Sequence, residues 1–112
     1  MDSPLFTHQR EMLDMANQVF DLARRIQKME EGHKLQRNLR RMKEALESMG
    51  IIIHDPLGET WEETRTDCEA TISGDSSERL VIQEVIKPII RKREHNMLQI
   101  IQRGVVIVGT QA

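Results

Sequence analysis

Met12, Met15, Val19, Leu22, Ile26 and Met29 step by three and four along the chain, and Leu35, Leu39, Met42, Leu46 and Met49 do the same. Each set is the apolar stripe of an amphipathic helix. The six-residue step from Met29 to Leu35 breaks the phase between them. A single continuous helix would carry His33, Gln36, Arg40, Lys43 and Glu47 onto the buried seam, which a coiled coil does not tolerate. The pattern therefore predicts two helices, one ending near Glu30 and one running from about His33 to Met49. Gly32, in the gap, is expected to end the first, and Gly50 to close the second in a left-handed conformation. Ser3-Pro4 reads as the first helix's start, with Thr7 and Glu11 as a competing one.

After Gly50 the period changes. Short β-branched runs follow at Ile51 to Ile53, Ala70 to Ile72, Leu80 to Ile86 and Leu98 to Val108. Turn chemistry separates them at Asp55-Pro56-Leu57-Gly58, Ser73-Gly74-Asp75-Ser76-Ser77 and His95-Asn96. Strands at this spacing predict a compact, mostly antiparallel β-unit. Val105 to Val108 is apolar on both faces, the mark of a central strand. Arg91-Lys92-Arg93 is expected at or near a hairpin tip, either as a solvated turn that protects an edge or as an electrostatic contact to an acidic partner.

The expected fold class is α+β, with residues 1–50 a helical dimerisation region and residues 51–112 a small β-domain. In 112 residues a core is marginal without help, and each helix carries a stripe with little nearby to cover it. A second copy is the expected cover, giving a dimeric four-helix bundle with Met15, Val19, Leu22, Ile26, Leu35, Leu39, Met42 and Leu46 at its interface.

Composition narrows the function classes. Phe6, Phe20 and Trp61 are the only aromatics, which argues against base-stacking surfaces for nucleic acid. Arg37, Arg40 and Arg41 are interleaved with Glu44 and Glu47, so they read as a salt-bridged solvated face. The net charge of −2 is unevenly spread, acidic over Ile51 to Arg79 and modestly basic after Leu80, which suggests a protein partner. A lone cysteine, Cys68, allows no internal disulfide and fits a reducing compartment. No signal, lipidation motif or bilayer-spanning run occurs, and the expectation is a soluble cytoplasmic protein.

No phosphate loop, zinc spacing or nucleophile elbow is present. His8, His33, His54 and His95 are far apart, so they are expected on the surface and not as metal ligands. Cys68 with His54 and Asp67 is the one conceivable catalytic set, but acidic neighbours disfavour a thiolate and packing is the expected role. The expectation is a protein that is not an enzyme and carries no cofactor.

The order of these pieces resembles the GrpE family, the nucleotide exchange factors of DnaK-type chaperones. Leu35, Leu39, Met42, Leu46 and Met49, then Gly50-Ile51, look like that family's second bundle helix and its Gly-Val exit. Gly58 and Trp61 are similar to its Gly followed by Phe, and Cys68-Glu69-Ala70 to its His-Glu-Ala. Glu84-Val85 to Pro88 looks like the run before its Gly-Tyr, and Val106-Ile107-Val108 like its closing strand. The resemblance covers about Gln18 to Val108. Ile89-Ile90 replaces the Gly-Tyr, Gln102-Arg103-Gly104 replaces an Arg-Pro-Ala, a few extra residues sit around Thr64 and Arg91, and the long N-terminal stalk has no counterpart.

The resemblance implies a homodimer whose β-domains reach the nucleotide-binding domain of a DnaK-type chaperone. By position it implies contacts at Ile86, Lys87, Gln99, Arg103 and Val108, to which charge adds Arg91, Lys92 and Arg93. Nucleic acid and membrane are not expected partners. A GrpE-like dimer serving as scaffold or regulator without exchange activity is the alternative.

Overall fold

The computed structural model describes residues 8–74 and 79–110. Helix α1 spans Gln9–Gln27 and α2 spans Gln36–Ser48, with a 3₁₀ turn at Gly32–Leu35 between them. Seven strands follow: β1 Ile51–His54, β2 Thr60–Trp61, β3 Cys68–Ile72, β4 Leu80–Lys87, β5 Ile89–Glu94, β6 Met97–Gln102 and β7 Gly104–Thr110. The fold is α+β.

The first helix ends earlier than its apolar spacing predicts. Lys28 closes it, its N–H donating to the Arg25 carbonyl while the Met29 N–H donates to that of Ile26. Gly32 is needed for a reason other than ending the helix: a Cβ there would lie 2.0 Å from the Ile26 carbonyl oxygen, so the chain can double back only at glycine. Gly50 takes φ 84° after Met49, the left-handed helix exit expected of it. The starts expected at Ser3-Pro4 and Thr7 lie outside the described residues, as do Asp75, Ser76 and Ser77 of the predicted turn.

The strands form two sheets. One has the order β1-β5-β6, all antiparallel; the other has the order β2-β4-β7-β3, antiparallel except for the parallel pair β3 and β7. β7 lies between two neighbours, the central place expected of it; Val106 and Val108 on one face are buried, and Val105 and Ile107 on the other are half-buried. Pro88 separates β4 from β5 and carries the chain from one sheet to the other. Without an N–H, proline suits a point where a strand leaves its ladder.

Two expectations about the strands need correction. The run from Leu98 to Val108 is two strands, parted at Arg103. Arg91, Lys92 and Arg93 lie near a hairpin tip, as expected, but not in a solvated turn: they are within β5, all three paired with β6 and, at Arg91 and Lys92, with β1 on the other side. The tip is His95-Asn96, both at positive φ (49° and 69°), the type I′ geometry that suits a two-residue hairpin.

One core joins the helices to the first sheet, with Ala16, Val19, Ile26, Leu39 and Leu46 against Ile51 and Ile90. A second lies against the other sheet around Cys68, Ile82, Val85, Val106 and Val108, and Ile89 of β5 and Phe20 of α1 enter it. Gly50 is therefore a change of element type and not a break in the core. The molecule is flat, 45 × 42 × 21 Å with a radius of gyration of 15.8 Å, against ~13 Å for a closed globule of this length.

Candidate functional site

The helix pair has three sides. Ala23 and Gln27 of α1, with Lys43 and Glu47 of α2, look across a cavity of about 270 Å³ onto Ile51, Ile52 and Ile53 of β1. Further round each helix, Val19 with Ile26, and Leu39 with Leu46, enter the core. Beyond these lie Met15, Leu22 and Met29 on the first helical segment and Leu35, Met42 and Met49 on the second, all exposed. Each set recurs every seven residues, so it forms a nearly straight line. The eight residues expected at a dimer interface thus divide. Val19, Ile26, Leu39 and Leu46 are consumed inside the chain, covered by the sheet, while Met15, Leu22, Leu35 and Met42 remain as an outer apolar face of the kind that marks an association surface.

The expected partner-contact residues divide as well. Ile86 and Lys87 are exposed at the end of β4, Arg93 is exposed on β5 and Gln99 on β6. Arg103 is exposed but occupied: its guanidinium donates to the Thr66 and Cys68 carbonyls and pairs with Glu69 at 3.1 Å. Val108 is a core residue and Lys92 is only 9% exposed, on the helix-facing side of its sheet, 3.6 Å from Glu94. Neither offers a surface.

Arg91 belongs to a closed polar ring that local spacing did not reveal. Its Nη1 donates to His54 Nδ1 at 2.9 Å, and His54 Nε2 meets Glu59 Oε2 at 2.6 Å. Arg65 donates to Glu59 Oε1 at 3.0 Å and grips Asp67 with two bonds of 2.8 and 3.1 Å. Arg91 Nη2 closes the ring 3.5 Å from Asp67 Oδ2. A guanidinium only donates and a carboxylate only accepts, so His54 carries its proton on Nε2. The Asx turn at Asp55, whose side chain accepts from Leu57 N–H, and Gly58 at φ 83° bring Glu59 back beneath His54.

Charges in the ring fix one another. The Arg65 hydrogen bonds hold the Asp67 carboxyl below its usual range, against burial, with the Arg91 charge assisting. Burial would raise Glu59, but hydrogen bonds from His54 and Arg65 outweigh it and leave that carboxyl low. Bonding to Asp67 raises Arg65 despite burial.

Cys68, conceivable with His54 and Asp67 as a catalytic set, is buried in the second core. Burial, then the Asp67 charge, pushes its thiol up, the opposite of an activated nucleophile. The histidines are dispersed over the helix start, the 3₁₀ turn, β1 and the hairpin tip. Among the described residues no three His, Cys, Asp or Glu side chains are grouped to hold a metal ion, and no helix is long and apolar enough to cross a membrane. No protein-family model, curated protein or solved structure matches the chain.

Proposed function

We propose that this chain is a GrpE-like co-chaperone, a cytoplasmic homodimer that accelerates release of ADP from a DnaK-type chaperone and performs no chemistry of its own. The observation that carries the reading is the ordered resemblance from Leu35 through Gly50-Ile51, Gly58, Trp61 and Cys68-Glu69-Ala70 to Val106-Ile107-Val108. A helix pair with an uncovered apolar face, followed by a small two-sheet β-unit, supports it. In this reading the outer lines of Met15, Leu22, Leu35 and Met42 pack against a second copy as a four-helix bundle. The exposed Ile86, Lys87, Arg93, Gln99 and Arg103 meet the chaperone.

Such a factor acts by differential affinity. It binds the open, nucleotide-free form of the chaperone more tightly than the closed one, so the population shifts and ADP leaves. Reciprocity then requires ADP to weaken the complex by the same factor. Titration of the chaperone with and without saturating ADP tests this, and equal affinities would reject exchange.

A scaffold or regulator without exchange activity is the second reading. It is favoured by Ile89-Ile90, both fully buried where the family has Gly-Tyr, and by Arg103 being tied down by Glu69 and two carbonyls.

A further inference from the structure

β6 is the free edge of its sheet, since the order is β1-β5-β6. Its first four residues are exposed, with Met97 at 65%, Leu98 at 53% and Ile100 at 41%. The strand reads Met-Leu-Gln-Ile-Ile-Gln, without the lysine, proline or inward charge that commonly protects such an edge. A bulge at Ile101 displaces its far end, leaving Met97 to Ile100 regular.

The hairpin fixes which backbone groups are free. A two-residue loop makes its flanking residues, Glu94 and Met97, a hydrogen-bonded pair. The alternation continues through Lys92 and Gln99, whereas Arg93 with Leu98 and Arg91 with Ile100 are the intervening non-bonded pairs. The N–H and C=O groups of Leu98 and Ile100 therefore point away from β5, outward along the open edge.

We propose that this edge pairs with the same edge of a second copy, antiparallel about a two-fold axis at Gln99. Only registers that pair outward-facing residues with outward-facing residues can bond. The axis at Gln99 sets Leu98 against Ile100 of the second copy, and Ile100 against its Leu98, with four backbone hydrogen bonds. Their side chains share one face of the sheet, while the two Gln99 amides meet on the other. The result is a continuous six-stranded sheet, β1-β5-β6 followed by its two-fold image, with all four helices on one side.

Charge favours this occupant. β6 itself carries no charge, so nothing repels its own copy. The exposed cation Arg93 lies one strand back, which places the two copies of Arg93 about three strand spacings apart, roughly 14 Å. That exceeds the screening length of about 8 Å at physiological salt. The contact is smaller than the roughly 1,200 Å² of a stable interface, so the pairing is weak and concentration-dependent. It uses a surface separate from the outer helical face and rests on the free edge alone, but it covers Gln99, so it competes for that residue with the chaperone contact proposed above.

Amide hydrogen exchange on the full chain tests it. At about 1 mM protein the Leu98 and Ile100 amides should exchange roughly tenfold or more slowly than in the Leu98→Lys, Ile100→Lys double variant. The Met97 and Gln99 amides, already bonded to β5, should match in both. Both substitutions fall on exposed side chains and leave the core intact. Sedimentation of a Leu22→Lys, Met42→Lys variant, which lacks the outer helical contact, should still show weak dimerisation that the Leu98 and Ile100 changes remove. Leu98 and Ile100 amides as fast as those of an unstructured peptide at 1 mM, or slowed only when another protein is added, would overturn the proposal.

Discussion

Arg91 Nη1 lies 2.9 Å from His54 Nδ1, a bond between residues 37 positions apart that links β5 to the last residue of β1, from which the chain leaves for the second sheet. Both side chains are less than half exposed, and Arg91 also faces Asp67. Removing the guanidinium strands a ring nitrogen and weakens a charge pair. Arg91→Ala should lower stability by about 1–3 kcal/mol, measured by urea unfolding. Arg93→Ala, at an exposed position on the same strand, should change it by less than about 0.5 kcal/mol.

Asp67 gives that ring its pH dependence. Its carboxyl is held low in the folded protein by Arg65, so the unfolded chain binds the proton more readily. A depressed folded value contributes stability that is fully present above the unfolded value, about 3.9, and is lost as pH falls through the folded one. Stability should therefore be flat near neutrality and decline below about pH 4. Asp67→Asn should be less stable at pH 7 and show a shallower decline, which urea midpoints across the acid range would reveal.

Cys68 should behave as a packing residue. It is buried beside Gly104, where an added Cβ would sit 2.9 Å from Sγ. A thiol reagent at neutral pH should label it only at the rate of unfolding. Cys68→Ser should cost about 1–3 kcal/mol by placing a hydroxyl among apolar groups. Immediate labelling of the native protein would show that the second core is open.

The outer and inner helix lines should separate in their effects. Leu22→Lys with Met42→Lys alters exposed positions and should leave the monomer folded. It should raise the dimer dissociation constant about a hundredfold, the equivalent of about 2–3 kcal/mol of partly buried apolar surface. Leu46→Lys places a charge in the intrachain core and should unfold the chain. Sedimentation and circular dichroism on the two variants distinguish the outcomes, and a wild type that is monomeric at every concentration would remove the bundle.

Both helices and four strand regions were legible because their periodicity is local. The apolar spacing of Met12 to Met29 and the β-branched runs are set by each element's own geometry. β5 was missed because Arg91-Lys92-Arg93 looks solvated; Lys92 is buried with Glu94 3.6 Å away, and Arg91 is held by residues from distant segments. β2, two residues long, carries no periodic signal. Spacing locates an apolar stripe but cannot say what covers it, so Val19, Ile26, Leu39 and Leu46 were assigned to a second copy when the sheet takes them. The ring of His54, Glu59, Arg65, Asp67 and Arg91 depends on tertiary pairing and left no mark in the sequence beyond an acidic loop.

Release of a fluorescent ADP from the cognate DnaK-type chaperone, followed by stopped flow with and without this protein, tests the proposed nucleotide exchange. The release rate should rise with added protein to a plateau, with no nucleotide hydrolysed by the protein itself, because the complex favours the open chaperone. Saturating binding that leaves the release rate unchanged would contradict it.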